Sequence, residues 1–165
     1  MHYTLRSILL LCTALSLEVV IAQSAPVACD LIDLKSAETI LSHPIKQYKP
    51  NRSTQLVDGA KISDCIFFGD PGKNLRVTLA EYATPAMARQ TYTAGLQPNG
   101  FATQNPISNL GDAAAEWHAG TEGSGYIILK GSRVLMFDAR GPGGDRAKGS
   151  LQRMRPFVVS AVRLM

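Results

Sequence analysis

The sequence predicts an α+β fold: an antiparallel sheet of four to five strands built from two hairpins, with helices packed on one face. Two pairs of short β-branched and aromatic runs carry the sheet, residues 62–69 with 75–82 and residues 126–130 with 133–138, each pair joined by a turn signal. Three segments with apolar residues at helical spacing, at residues 30–42, 85–94 and 151–162, carry the helices. The third observation precedes them all. Arg6 opens a run of small and apolar residues, 7–17, that Glu18 interrupts before it could span a bilayer. This predicts a signal peptide over residues 1–22. Cleavage falls after Ala22 or Ser24, where Val20/Ala22 or Ala22/Ser24 put small residues at the last and third-from-last positions, whereas Pro26 argues against a cut after Ala25.

Removing that segment discards Cys12 and leaves a single secreted domain, residues 29–165, with Cys29 and Cys65 as its thiols. In an oxidising compartment such a pair is expected to form a disulfide. Cys29 also follows Ala28 as a lipid-accepting cysteine would, but the residues before it, Ala25-Pro26-Val27-Ala28, lack the expected leucine and carry a proline. The bridge is the preferred reading.

Residues 30–42 place Leu31, Leu34, Ala37, Ile40 and Leu41 on one helical face and stop at His43-Pro44. The polar stretch 46–61, with Pro50 and Gly59, reads as a loop, and the first hairpin turns through Asp70-Pro71-Gly72-Lys73-Asn74. Thr84-Pro85 gives an N-cap with proline in the first helical turn, and Gly95 ends that helix. Asn99-Gly100 and Asn105-Pro106 punctuate the next loop, 114–118 is a candidate extra strand, and the glycine-rich residues 120–125 lead into the second hairpin. Beyond Gly141-Pro142-Gly143-Gly144, Leu151, Met154, Phe157, Val158, Ala161 and Val162 make a helical stripe. Pro156 must lie near the start of that helix or kink it.

The net charge is +4, and it is concentrated: from residue 140 onward six basic residues stand against Asp145 alone. That basic segment points to an anionic partner. Nucleic acid is not expected, because the aromatic interleaving of a nucleic-acid groove is missing and the chain is exported. Arg153 and Arg155 are the candidate contacts. Trp117, the single tryptophan, either plugs the core or stands exposed, in which case it forms a contact surface with Tyr126.

No catalytic residues and no cofactor or metal are assigned. His43 and His118 stand alone, without the spacing of a metal site. Gly123-Ser124-Gly125 is not a nucleophile elbow and reads as a hairpin loop, and residues 144–150 do not match the spacing of a phosphate-binding loop. Asp112 and Glu116 could act as paired carboxylates beside His118, although Asp112 is better placed to cap the turn after Gly111.

Three stretches, Cys29-Asp30-Leu31-Ile32 near the mature start, Asp64-Cys65-Ile66-Phe67, and Leu110-Gly111-Asp112-Ala113-Ala114 followed by Trp117, resemble a group of secreted bacterial envelope proteins of unknown function, often lipoproteins. The resemblance implies a fold and a compartment rather than a reaction. The expectation is therefore a secreted or periplasmic, non-catalytic binding protein of the cell envelope, whose partner is an envelope protein or an anionic cell-surface polymer. The alternatives are a small hydrolase using Asp112, Glu116 and His118, and a protease-inhibitor or immunity-type protein that protrudes through residues 46–61 or 141–144. Neither partner identity nor oligomeric state is legible.

Overall fold

A computed structural model describes residues 26–57, 59–69, 72–96, 103–119, 123–141 and 145–165. The signal segment and its cleavage sites lie outside these residues, as do Asn99-Gly100, Asp70-Pro71 and residues 142–144 of the glycine-rich loop.

The sheet has seven antiparallel strands, not four or five. They are β1 (Gln47–Val57), β2 (Ala60–Phe68), β3 (Asn74–Tyr82), β4 (Thr103–Ile107), β5 (Ala113–Ala119), β6 (Gly123–Lys130) and β7 (Arg133–Arg140), in the spatial order β1-β2-β3-β7-β6-β5-β4. Two meanders meet where β3 pairs with β7. The chain reaches the far edge only by passing across the sheet after β3, then returns strand by strand to the centre.

The two strands read as loop are the two edges. An edge strand pairs on one side only and needs no apolar alternation, so polar residues 46–61 and Thr103-Gln104-Asn105-Pro106 conceal their strand character. Each carries a proline, Pro50 or Pro106, which a central strand would not accept. Residues 123–125, read as a turn, instead open β6 and are buried.

Two faces follow from strand alternation. On the first, Cys65, Phe67, Leu75, Val77, Tyr126, Ile128, Leu135 and Phe137 pack beneath α1 (Leu34–Leu41) and α3 (Asp145–Leu164). On the second, Ile127, Leu129 and Val134 pack beneath Ala88 and Tyr92 of α2 (Pro85–Gly95). Helices therefore cover both faces, because Ile127 and Leu129 leave the opposite side of β6 as apolar as the side of Tyr126 and Ile128.

Capping fixes the helix ends. Asp33 accepts from the Ser36 N–H at 2.7 Å and Thr84 from the Met87 N–H at 3.3 Å. Ser42, at φ 54°, ends α1 where His43-Pro44 forbids its continuation. The predicted first helix is split: a 3₁₀ turn, Ala28–Asp30, precedes α1. Cys29 in that turn is joined to Cys65 in β2 by a disulfide with Cα atoms 5.1 Å apart, so the bridge pins the turn, not the helix, to the sheet. Pro156 lies inside α3 and is exposed, so its ring faces water while the Gln152 carbonyl loses its helical donor. The end of α3 is held by Lys130 Nζ donating to the Val162 carbonyl and Arg133 Nη1 to that of Met165, both at 2.6 Å.

Among the described residues no helix is long and apolar enough to cross a membrane.

Candidate functional site

One transverse row of the first face sets the site. In register, Asn105 of β4, Glu116 of β5 and Tyr126 of β6 lie side by side, and His118 stands two residues further along β5 on the same side. The middle of α3 crosses above them and contributes Gly149, Gln152 and Arg155, each three residues after the last. Between helix and strands is a cleft of about 320 Å³, floored by Tyr126 and Leu151. That volume is at the small end of ligand pockets.

The floor is rigid and its polar groups are satisfied. Tyr126, 1% exposed, donates its hydroxyl to the Leu151 carbonyl at 3.0 Å and so ties β6 to α3. Burial first, and then the Glu116 carboxylate, push its phenol up to about 12, with the Arg155 charge partly offsetting them. The hydroxyl therefore stays protonated and serves as a strut. Glu116 is held by the Asn105 amide, whose Nδ2 donates to Oε1 at 3.2 Å. Arg155 is exposed, and among the described residues it makes no hydrogen bond or ion pair. A carboxylate, an imidazole, two amides and a guanidinium thus line one concave surface.

The predicted contact residues do not share one surface. Tyr126 and Arg155 meet in the cleft. Trp117, 3% exposed, lies on the opposite face of β5, packed against Gly125 of β6, so it forms no surface with Tyr126. Arg153 points the other way from Arg155: its Nε donates to the Ile40 carbonyl at 3.0 Å and closes the C-terminal end of α1. Nor is the basic segment a single face, since Arg140 is paired with Asp138 on the second face of the sheet at 2.9 Å.

The carboxylate pair is separated. Glu116 and His118 line the cleft, but Asp112 accepts from the Gly131 N–H at 2.6 Å and braces the β6–β7 turn at the other end of β5. Gly111 before it has φ 66°, and a Cβ there would sit 2.4 Å from the Leu129 carbonyl oxygen. The Leu-Gly-Asp-Ala segment is therefore a structural corner. Asn105 and Gln152 were not legible as site residues: Asn105 reads as loop punctuation before Pro106, and a single exposed glutamine carries no signal.

The second face holds the other polar cluster, which is spent on itself. Arg76 Nε and Nη2 each reach an Asp64 carboxylate oxygen at 3.0 Å, and Thr78 donates to Asp64 at 2.6 Å. Burial raises the Asp64 carboxyl, but the hydrogen bonds from Arg76 and Thr78 and the charge of Arg76 outweigh it and hold the group below 3.8. Its stabilisation is then fully present above that value and lost as pH falls through the depressed one. Asp64→Asn is expected to lower unfolding stability by about 1–2 kcal/mol near neutral pH. The gap between the two proteins should narrow in urea titrations only as the pH is taken below 3.8; a gap independent of pH would contradict this role. Burial prevails at Asp138, where it raises the carboxyl in spite of the charge and hydrogen bond of Arg140 and the charge of Arg76.

Among the described residues no group of three His, Cys, Asp or Glu side chains could hold a metal ion. Comparison with known proteins finds neither a protein-family model nor a curated protein that matches this chain. Fold and cleft together define an α+β protein with a single disulfide and a small polar recess at one edge of its sheet.

Proposed function

We propose that this is a non-catalytic binding protein of the cell envelope, secreted or periplasmic, which holds part of an anionic cell-surface polymer in the cleft between α3 and strands β4–β6. The observation that carries the reading is the cleft itself, where an exposed guanidinium on α3, unpaired among the described residues, faces hydrogen-bonding groups on the sheet. The polymer is favoured over an envelope protein because a recess of about 320 Å³ suits one small unit rather than a flat protein surface. Export is supported by the signal-like first 22 residues and by the Cys29–Cys65 bridge, which persists in oxidising compartments. Hydrolysis is disfavoured: acid–base cleavage of a glycosidic bond uses two carboxyl groups across the bond, and Asp112 is committed to the Gly131 turn.

The test is affinity capture from an envelope extract with the oxidised protein, its Arg155→Glu variant, and Arg163→Glu, an equal charge change at the far end of α3. Wild type and Arg163→Glu are expected to retain the same polymer and Arg155→Glu to lose it, with the polymer's chain length unchanged. Retention by all three proteins, or shortened chains in the eluate, would contradict the reading.

A further inference from the structure

Resting on that reading, the chemistry of the cleft points to one class of unit. The guanidinium of Arg155 on the helix wall and the ring N–H of His118 on β5 suit a carboxylate, and a guanidinium can meet one with two parallel hydrogen bonds. The remaining polar groups are of another kind. Asn105 and Gln152 are amides, each able to donate and accept, and Glu116 only accepts when ionised. An ammonium beside the carboxylate, as in an amino acid, would be satisfied by Glu116 and leave both amides idle. Neighbouring hydroxyls, each a donor and an acceptor, match all three. The Asn105–Glu116 hydrogen bond fixes the carboxylate in advance, so less ordering is needed on binding. The floor is formed by the largely buried Tyr126 and Leu151, with the phenol hydroxyl already committed to the Leu151 carbonyl, so polarity is confined to the walls.

We propose that the cleft binds a uronic-acid-type sugar unit, its carboxylate on Arg155 and His118 and its ring hydroxyls on Glu116, Asn105 and Gln152. Glu116 here sets specificity as an acceptor of hydroxyls and takes no part in chemistry.

The experiment is calorimetric titration of the oxidised full-length mature protein with the methyl glycosides of glucuronic and galacturonic acid, with methyl glucoside and glutamate as comparators. At least one uronide is expected to bind ten times or more tightly than the neutral glucoside and more tightly than glutamate. Arg155→Gln should remove that preference by weakening the uronide at least tenfold while leaving methyl glucoside unchanged. Arg155 is exposed and unbonded among the described residues, so the variant should keep the wild-type melting temperature. Gln152→Ala should weaken uronide and glucoside alike. Equal affinity for acidic and neutral sugars, tighter binding of glutamate, an Arg155→Gln protein that keeps its preference, or no binding of either uronide would each overturn the assignment. If the assignment fails while polymer capture still depends on Arg155, the binding reading stands without the uronic acid; if that dependence is absent too, both fall.

Discussion

Gly125→Ala is expected to destabilise the protein by about 3 kcal/mol or more, at or beyond the upper end of what overpacking a core costs. Strand β6 lies inside the sheet, between β5 and β7, and Gly125 stands opposite Trp117 on one side and Asp138 on the other. A Cβ on Gly125 would sit 1.9 Å from the Phe137 carbonyl oxygen and 2.7 Å from Trp117 Nε1. The first is backbone in a paired strand and cannot move without opening the β6–β7 ladder. The second is the edge of a buried indole with no space to retreat. Trp117 is the only tryptophan, so its fluorescence reports this contact alone. The variant should show a red-shifted emission and a lower urea midpoint, and wild-type values for both would show that Trp117 does not rest on Gly125. Gly131→Ala is a useful comparator, because a Cβ there meets nothing within 4 Å and only its φ of 57° resists the change.

Removing the disulfide by Cys29→Ser with Cys65→Ser should cost about 3–4 kcal/mol in the chain-entropy account, given the separation of 36 residues. The site of the loss is specific. The bridge holds the 3₁₀ turn at residues 28–30 on β2, assisted by the Ala28 N–H donating to Ser63 Oγ at 2.9 Å. Without it that turn keeps this hydrogen bond and the burial of Ala28, Leu31 and Ile32 on the sheet, but loses its covalent tie to β2. Hydrogen exchange should therefore rise first at residues 28–32 and along β2, while α2 on the opposite face keeps its protection. Uniform loss of protection would mean that the bridge stabilises only the unfolded-state balance, and an unchanged unfolding midpoint would contradict the prediction altogether.

What could be read from the sequence divides along a physical line. Elements that bury an alternating or helical apolar pattern announce themselves: Leu75, Val77 and Leu79 mark β3, and Thr84-Pro85 marks the start of α2. The edge strands did not, because β1 and β4 have one partner each and carry polar residues and a proline, which is how a sheet ends without recruiting further strands. Nor could the sequence show that Ile127 and Leu129 face a second apolar layer, since an unbroken run from Tyr126 to Leu129 fits burial on both sides only once a covering helix is placed. The site followed the same rule. Glu116, His118, Tyr126 and Arg155 stand out by residue type, but only the pairing of β4, β5 and β6 and the crossing of α3 bring them together. Arg153 and Arg155 are indistinguishable as a basic pair in sequence, yet two residues on a helix turn one toward α1 and the other toward the cleft.

The measurement that tests the account most directly is an amide NMR titration of the oxidised protein with short fragments of the captured polymer, read after overnight incubation. The account predicts shifts concentrated at Asn105, Glu116, His118, Gln152 and Arg155, with the fragments recovered intact. Shifts centred instead on the second face, around Arg76, Thr78 and Asp138, or fragments recovered in shortened form, would contradict it.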